Sequence, residues 1–256
     1  GQGPGEVQVP WNISKIDDNS FLIYDVAGKK ILGFNIDSLL LKEERKAIFE
    51  KKINEKDICS SVQMVKGNVY YTQDLKANYR LYKLDTLSNK EHGYGKLINN
   101  FNNIKDFNFG QACRAVTNNN KGIFVTAYQL APFFEIYNSQ TNSWKSILSI
   151  DEFSPIYREM ESEGNMLFGV TKDTKLGFID ISMSEKYIYL LYSGEIMLDR
   201  KSDEANKVLV FDYEGNPVAI YKLNNYISAF KVHEDSIIYG LKNNIKVELV
   251  KFYINQ

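Results

Sequence analysis

Gly177-Phe-Ile-Asp-Ile-Ser-Met183, then Ser184-Glu-Lys186, then Tyr187-Ile-Tyr-Leu-Leu-Tyr192 is the stretch whose reading decides the fold. The first segment alternates apolar and polar residues. The middle one is polar and turns the chain. The last is an unbroken apolar and aromatic run. Alternation, turn and short apolar run describe two antiparallel strands, the second buried on both faces.

The same unit recurs along the chain. Its central strands begin at Phe21, Val69, Ile123, Tyr187 and Ile237, which stand 48, 54, 64 and 50 residues apart. A polar turn precedes each anchor: Asp17–Ser20, Lys66–Asn68, Asn118–Gly122, Ser184–Lys186 and Glu234–Ser236. First strands are expected at Trp11–Ile16, Ile58–Val65, Ala112–Thr117, Gly177–Met183 and Ile227–Val232. Third strands are expected at Lys30–Ile36, Tyr79–Leu84, Phe133–Tyr137, Val208–Tyr213 and Lys246–Tyr253. Turns opening on Asp85, Asn138 and Asp212 follow three of these, because Asx side chains accept from amides two residues on. Fourth strands are clearest at Trp144–Ile150 and Pro217–Leu223, and Ala47–Ile53 reads as the outer strand of the first unit. Pro217 cannot donate to a ladder, which suits the start of an edge strand.

The unit is thus a four-stranded antiparallel meander of about 50 residues, and a radial array of such meanders is a β-propeller. The expectation is an all-β fold with five repeats, forming one propeller domain over residues 1–256. Two stretches exceed the unit, Ile98–Gly110 and Asp151–Lys175. Ser154–Glu161 in the second reads as a short helix, and Asn165–Val170 as an extra strand. Long insertions in repeat folds gather on one face and often border the binding site.

Composition narrows the function. Apolar residues make up 44% and aromatics 13%, which is globular. Lys plus Arg is 31 against 32 Asp plus Glu, which argues against a general nucleic-acid binder. No apolar run reaches the roughly 18 residues of a membrane-spanning helix. The opening residues show no signal-peptide pattern, and removal of an upstream targeting segment stays open. His92 and His233 stand far apart and in no ligand spacing, so neither a metal nor a cofactor is expected. Asp17-Asp18 and Glu234-Asp235 sit at equivalent turns, where acidic residues are ordinary. Cys59 and Cys113 each lie ten residues before an anchor, in equivalent places of adjacent repeats, and are expected not to bond each other.

Gly1-Gln2-Gly3-Pro4-Gly5-Glu6, Phe178-Ile179-Asp180-Ile181 with Tyr187–Tyr189 and Tyr192-Ser193-Gly194, and Val210–Val218 resemble the TolB-like six-bladed β-propeller proteins of bacteria. The resemblance covers most of the chain and is firmest in its C-terminal half. It implies six blades, against the five repeats counted. It also implies an exported protein, periplasmic or at the cell surface, secreted or lipid-anchored. No catalytic residues carry over from it. Gly1–Glu6 is glycine-rich, but Pro4 removes an amide that phosphate would need, so it reads as a turn.

No catalytic constellation stands out. The first functional expectation is therefore a non-enzymatic binding or scaffold protein, holding a peptide, glycan or partner protein at a channel mouth. The alternative is a lyase or hydrolase acting on a carbohydrate or lactone in the channel, by analogy of fold. Residues near the starts of the innermost strands are Trp11, Cys59, Arg114, Phe178, Asp180 and Ile227. Trp11, Arg114, Phe178 and Asp180 are the candidate binding residues. The charges of Arg114 and Asp180 on inner strands call for a partner, either ligand or structural salt bridge. The last unit ends at its third strand. Either Val7–Val9 completes it or residues upstream of the segment do, and the resemblance favours the second. Such an open edge invites self-association.

Overall fold

The computed structural model describes residues 3, 5–41, 47–53, 59–65, 67–73, 79–88, 90–96, 100–101, 104–105, 113–118, 120–151, 153–156, 158–162, 165–198, 203–243 and 246–254. The chain divides into two compact units, Gly1–Leu97 and Ile98–Gln256.

In the first unit, β1 (Pro10–Asp17), β2 (Ser20–Asp25), β3 (Lys30–Asn35) and β4 (Phe49–Lys52) form one antiparallel meander. The short α1 (Ile36–Leu40) interrupts the passage from β3 to β4. A second meander follows, of β5 (Cys59–Val65), β6 (Asn68–Gln73), β7 (Tyr79–Leu84) and β8 (Glu91–Lys96). Leu22, Tyr24 and Ile31 of the first sheet pack on Cys59, Val62, Val69, Tyr71 and Tyr82 of the second.

The second unit opens with the hairpin β9 (Asn100–Phe101) and β10 (Ile104–Lys105). Its sheets are β11 (Cys113–Asn118), β12 (Ile123–Tyr128), β13 (Phe133–Asn138) and β14 (Ser143–Leu148). Next comes the hairpin β15 (Arg158–Ser162) and β16 (Asn165–Gly169). The third group is β17 (Phe178–Met183), β18 (Tyr187–Tyr192), β19 (Ala205–Asp212) and β20 (Pro217–Ile227). Last are β21 (Ala229–His233), β22 (Ile237–Asn243) and β23 (Val247–Tyr253). The β17–β20 sheet lies between its neighbours. Phe178, Ile181, Ile188, Leu190 and Tyr192 meet Val125, Ala127, Phe134 and Ile136 on one side. Ile179, Tyr189, Leu191 and Val208 meet Phe230 and Ile238 on the other.

All five anchors begin or nearly begin the second strand of a sheet. Double-sided burial explains the apolar runs of β12 and β18, which are buried almost throughout. In contrast, β2 and β22 are buried mainly at alternate positions, so burial along the whole second strand is not shared by every blade. The Asx turns form as expected. Asp85 Oδ1 accepts from the amides of Leu87 and Ser88, and Asn138 Oδ1 from Gln140 and Thr141. Asn142 and Gly215 adopt the left-handed backbone that these turns require.

Local readings failed in two places. Arg158–Ser162 is a strand paired with Asn165–Gly169, and Ser154–Ile156 is not helical. A helix of that length is marginal alone, whereas the hairpin satisfies both backbones. Ala47–Ile53, expected as the outer strand of the first unit, holds β4, and α1 before it is capped by Asn35, whose Oδ1 accepts from Ser38 N at 3.0 Å. Ile227 ends β20 instead of starting the next blade, pairing with Ala205.

One glycine in this frame has a steric reason. A Cβ on Gly177 would stand 2.0 Å from the carbonyl oxygen of Ala131 and 2.9 Å from that of Tyr128. Its amide donates to Gln129 O at 2.6 Å, which sets the close approach. Gly177→Ala is expected to cost about 1–3 kcal/mol by forcing backbone apart. Urea unfolding measures this, and an unchanged midpoint would refute it.

Candidate functional site

The second unit has two chemically different ends. At the end carrying the turns between first and second strands, polar groups are tied to one another. Tyr189 Oη donates to Asp235 Oδ1 at 2.8 Å, joining the last two blades. Asn118 Nδ2 donates to Tyr213 Oη at 3.0 Å, and Tyr213 Oη donates to Ser184 O. Lys121 Nζ donates to Glu185 O at 2.7 Å and lies 4.4 Å from the Tyr213 ring centroid. Burial, ahead of every other influence, raises the phenol pKa of both Tyr189 and Tyr213, so each stays protonated and available as a donor.

The opposite end carries the short connection 129–132 and two long ones, 149–177 and 193–204. The return of the 149–177 insertion is knitted to the loop after β18. Leu176 N donates to Glu195 O, Gly194 N to Leu176 O, and Met197 N to Thr174 O. Thr174 is fully buried and its Oγ1 donates to Ile156 O at 2.6 Å, which anchors the insertion's first half. Around this knot stand exposed Asp151 and half-buried Phe153, whose ring lies 5.8 Å from Lys175 Nζ. Tyr192 lies beneath, with Lys207 Nζ 5.7 Å from its ring centroid. The Tyr192 hydroxyl is buried and has no hydrogen bond of normal geometry among the described residues. Burial first, then neighbouring Asp151, raise its pKa. This rim was not identified from the sequence beyond the expectation that the insertion borders a site. Asp151 and Tyr192 lie 41 positions apart and carry no local pattern.

The four candidates have different fates. Phe178 is fully buried, its ring 5.4 Å from Tyr192 and 6.2 Å from Phe134. Asp180 Oδ2 accepts from Phe230 N at 2.9 Å, and Ser182 Oγ from Val232 N at 3.1 Å. Asn12 Oδ1 likewise accepts from Val62 N at 3.1 Å in the first unit. All three bonds span 50 residues, one repeat, so a polar side chain on one innermost strand holds the next innermost strand's backbone. Trp11 is 53% exposed on β1. Phe178 and Asp180 share one strand, whereas Trp11 belongs to the other unit. The side chains of Arg114 and Cys113 lie outside the described residues, and Cys59 is buried. Among the described residues, no three His, Cys, Asp or Glu side chains converge as metal ligands. No helix among them is long and apolar enough to cross a membrane.

Solved structures share this fold at low identity. A member of the DUF4221 family from Bacteroides vulgatus superposes with TM-score 0.56 at 8% identity, over 99% of this chain and 81% of that one. The extracellular domain assigned to a one component system of B. thetaiotaomicron gives 0.53 at 10% identity, over 91% of this chain. This chain spans only 26% of the length of that structure. Kuenenia stuttgartiensis hydrazine synthase gives 0.53 at 10% identity, over 94% of this chain and 57% of that one. No curated protein matches. The family model for TolB-like 6-blade propeller-like proteins matches residues 1–235. With repeated four-stranded antiparallel meanders packed face to face, and that match over most of its length, the chain belongs to the TolB-like 6-blade propeller-like family.

Proposed function

We propose that this chain is a non-enzymatic recognition propeller, six-bladed and exported, which holds a peptide, glycan or partner protein on its loop-bearing face. The observation that carries the reading is the contrast between the two ends of the second unit. One end ties its turns to each other. The other gathers two long connections around Asp151, Phe153 and Tyr192. Family membership supports the six blades. It also supports the exported location, periplasmic or at the cell surface, as does the fold shared with an extracellular domain.

Within this reading, exposed Trp11 supplies an aromatic stacking surface and Arg114 a charged contact. Phe178 and Asp180 serve from behind, Phe178 as the floor under Tyr192 and Asp180 through the Phe230 amide. Glycan and peptide arrays, probed with the purified chain, test the proposal. A ligand found there is expected to bind at least 10-fold more weakly to Asp151→Ala. Asp151 is exposed, so the variant should melt within about 2 °C of the parent. Undiminished binding by the variant would overturn the assignment. Turnover of chromogenic glycosides or lactones would replace it with the lyase or hydrolase reading.

A further inference from the structure

The rim around Tyr192 holds a hydroxyl that the fold itself does not use. Tyr192 is fully buried, yet its Oη makes no hydrogen bond of normal geometry among the described residues. A buried hydroxyl in that state costs stability, so its presence calls for a reason other than packing. Gly194 leaves space beside it. A Cβ there would stand 3.3 Å from both Tyr192 Oη and Asp151 Oδ2. The hydroxyl therefore sits beside the exposed Asp151 carboxylate, with room at their border.

The charges set against the two rings of this rim balance. Asp151 and Glu195 act on the Tyr192 hydroxyl, Lys207 Nζ lies 5.7 Å from the Tyr192 ring centroid, and Lys175 Nζ lies 5.8 Å from that of Phe153. Asp151, Lys175 and Glu195 are exposed, and Phe153 is half-buried. Exposed carboxylates thus accept and an exposed ammonium donates, around part of an aromatic ring. The backbone of the knot is already engaged, since the amides of Leu176, Gly194 and Met197 donate within it. An extended peptide held by strand pairing finds no such partner there. The side chains suit a ligand without net charge, apolar on one face, whose polar groups each donate and accept.

We propose that this rim binds a neutral saccharide, one sugar ring lying on Phe153 with neighbouring hydroxyls shared between the Asp151 carboxylate and the Lys175 ammonium. A sugar hydroxyl donates to the first and accepts from the second. Tyr192 is a positioning residue. On binding, its proton goes to one oxygen of Asp151 and leaves the other to accept from the sugar. The assignment rests on the loop-bearing face being the binding face and narrows its ligand to one class.

The test is a microarray carrying neutral oligosaccharides of glucose, galactose, mannose and xylose, oligogalacturonate, and a random-sequence peptide pool. It is probed with the full chain and its variants, and hits are titrated by calorimetry. A neutral oligosaccharide is expected to bind most tightly. Asp151→Ala should weaken it about 10-fold, by loss of a charged hydrogen bond. Phe153→Leu, which keeps an apolar side chain and loses the ring, should weaken it about 5-fold. Tyr192→Phe removes only the unused hydroxyl, so it should melt no lower than the parent while binding about 5-fold more weakly. Asp151→Ala/Tyr192→Phe should bind like Asp151→Ala alone, because Tyr192 acts through that carboxylate. Parental affinity in Tyr192→Phe, or additive losses in the double variant, would overturn the proposal. So would tightest binding of oligogalacturonate, or binding of no saccharide. A peptide bound in an Asp151-dependent way would overturn the saccharide and leave the binding face in place. A saccharide whose affinity ignored Asp151→Ala would overturn both.

Discussion

Replacing Phe178 by Ala is expected to destabilise the chain by about 3–5 kcal/mol, the range for removing a fully buried aromatic from a packed core. The ring touches Phe134 on the neighbouring blade and Tyr192 on its own. Both neighbours are completely buried and have little room to collapse into the space left. For a chain of this size the loss corresponds to a fall of roughly 6–20 °C in Tm. Phe178→Leu, which keeps most of the volume, should lose less than half as much. Tyr192 stands between Phe178 and the loop rim, so near-ultraviolet dichroism should report its loosening before global unfolding. If Phe178→Ala melted within about 2 °C of the parent, the residue would not be core. The reading of Phe178 as a ligand-facing ring would then replace its assignment as a floor.

The blades were legible because their determinants are local. Alternation, a polar turn and an apolar run lie within fifteen or so residues, and Asp85, Asn138 and Asp212 open their turns through amides two to four positions on. Gly1–Glu6 likewise reads as a turn, and among its described residues Glu6 N donates to Gly3 O at 3.1 Å and Gly5 has φ 74°. Sites depend on distant partners and were not legible in the same way. Asp180 on an inner strand looks like a channel contact, yet its carboxylate serves an amide 50 positions away. Ser182 does the same, and the sequence does not mark it, because a serine fits any alternating strand.

Val7–Val9, one of two candidates for completing the last blade, is instead held on the first. Val26 N donates to Val9 O at 3.1 Å, and the segment's other anchor is Asp25.

Asp25→Ala is expected to release this segment and to cost about 2–4 kcal/mol. Asp25 is fully buried at the end of β2. Its Oδ2 accepts from Gln8 N at 2.9 Å, and its Oδ1 from Val9 N at 3.0 Å and Gly28 N at 3.2 Å. Lys30, nearly buried, stands close by and donates to Gly3 O at 3.5 Å, so charge and backbone bonds hold the same strap. Alanine leaves three amides without their acceptor and Lys30 without its counter-charge, though water can reach Gln8 and Val9. Burial is the strongest single influence on the carboxyl and pushes its pKa up. The three amides and Lys30 together outweigh it, and the net shift is downward. A depressed aspartate pKa means that the unfolded chain binds the proton more tightly. The stabilisation is therefore full above the ordinary aspartate value of about 3.9 and is lost as pH falls below it. Amide exchange at Gln8 and Val9 should accelerate in Asp25→Ala at neutral pH, and in the parent as it is acidified below about pH 4. Asp25→Asn keeps one acceptor oxygen, so it should retain part of the protection and lose this pH dependence. Exchange at Gln8 and Val9 that ignored both the substitution and acidification would show that the strap is held by something other than this carboxylate.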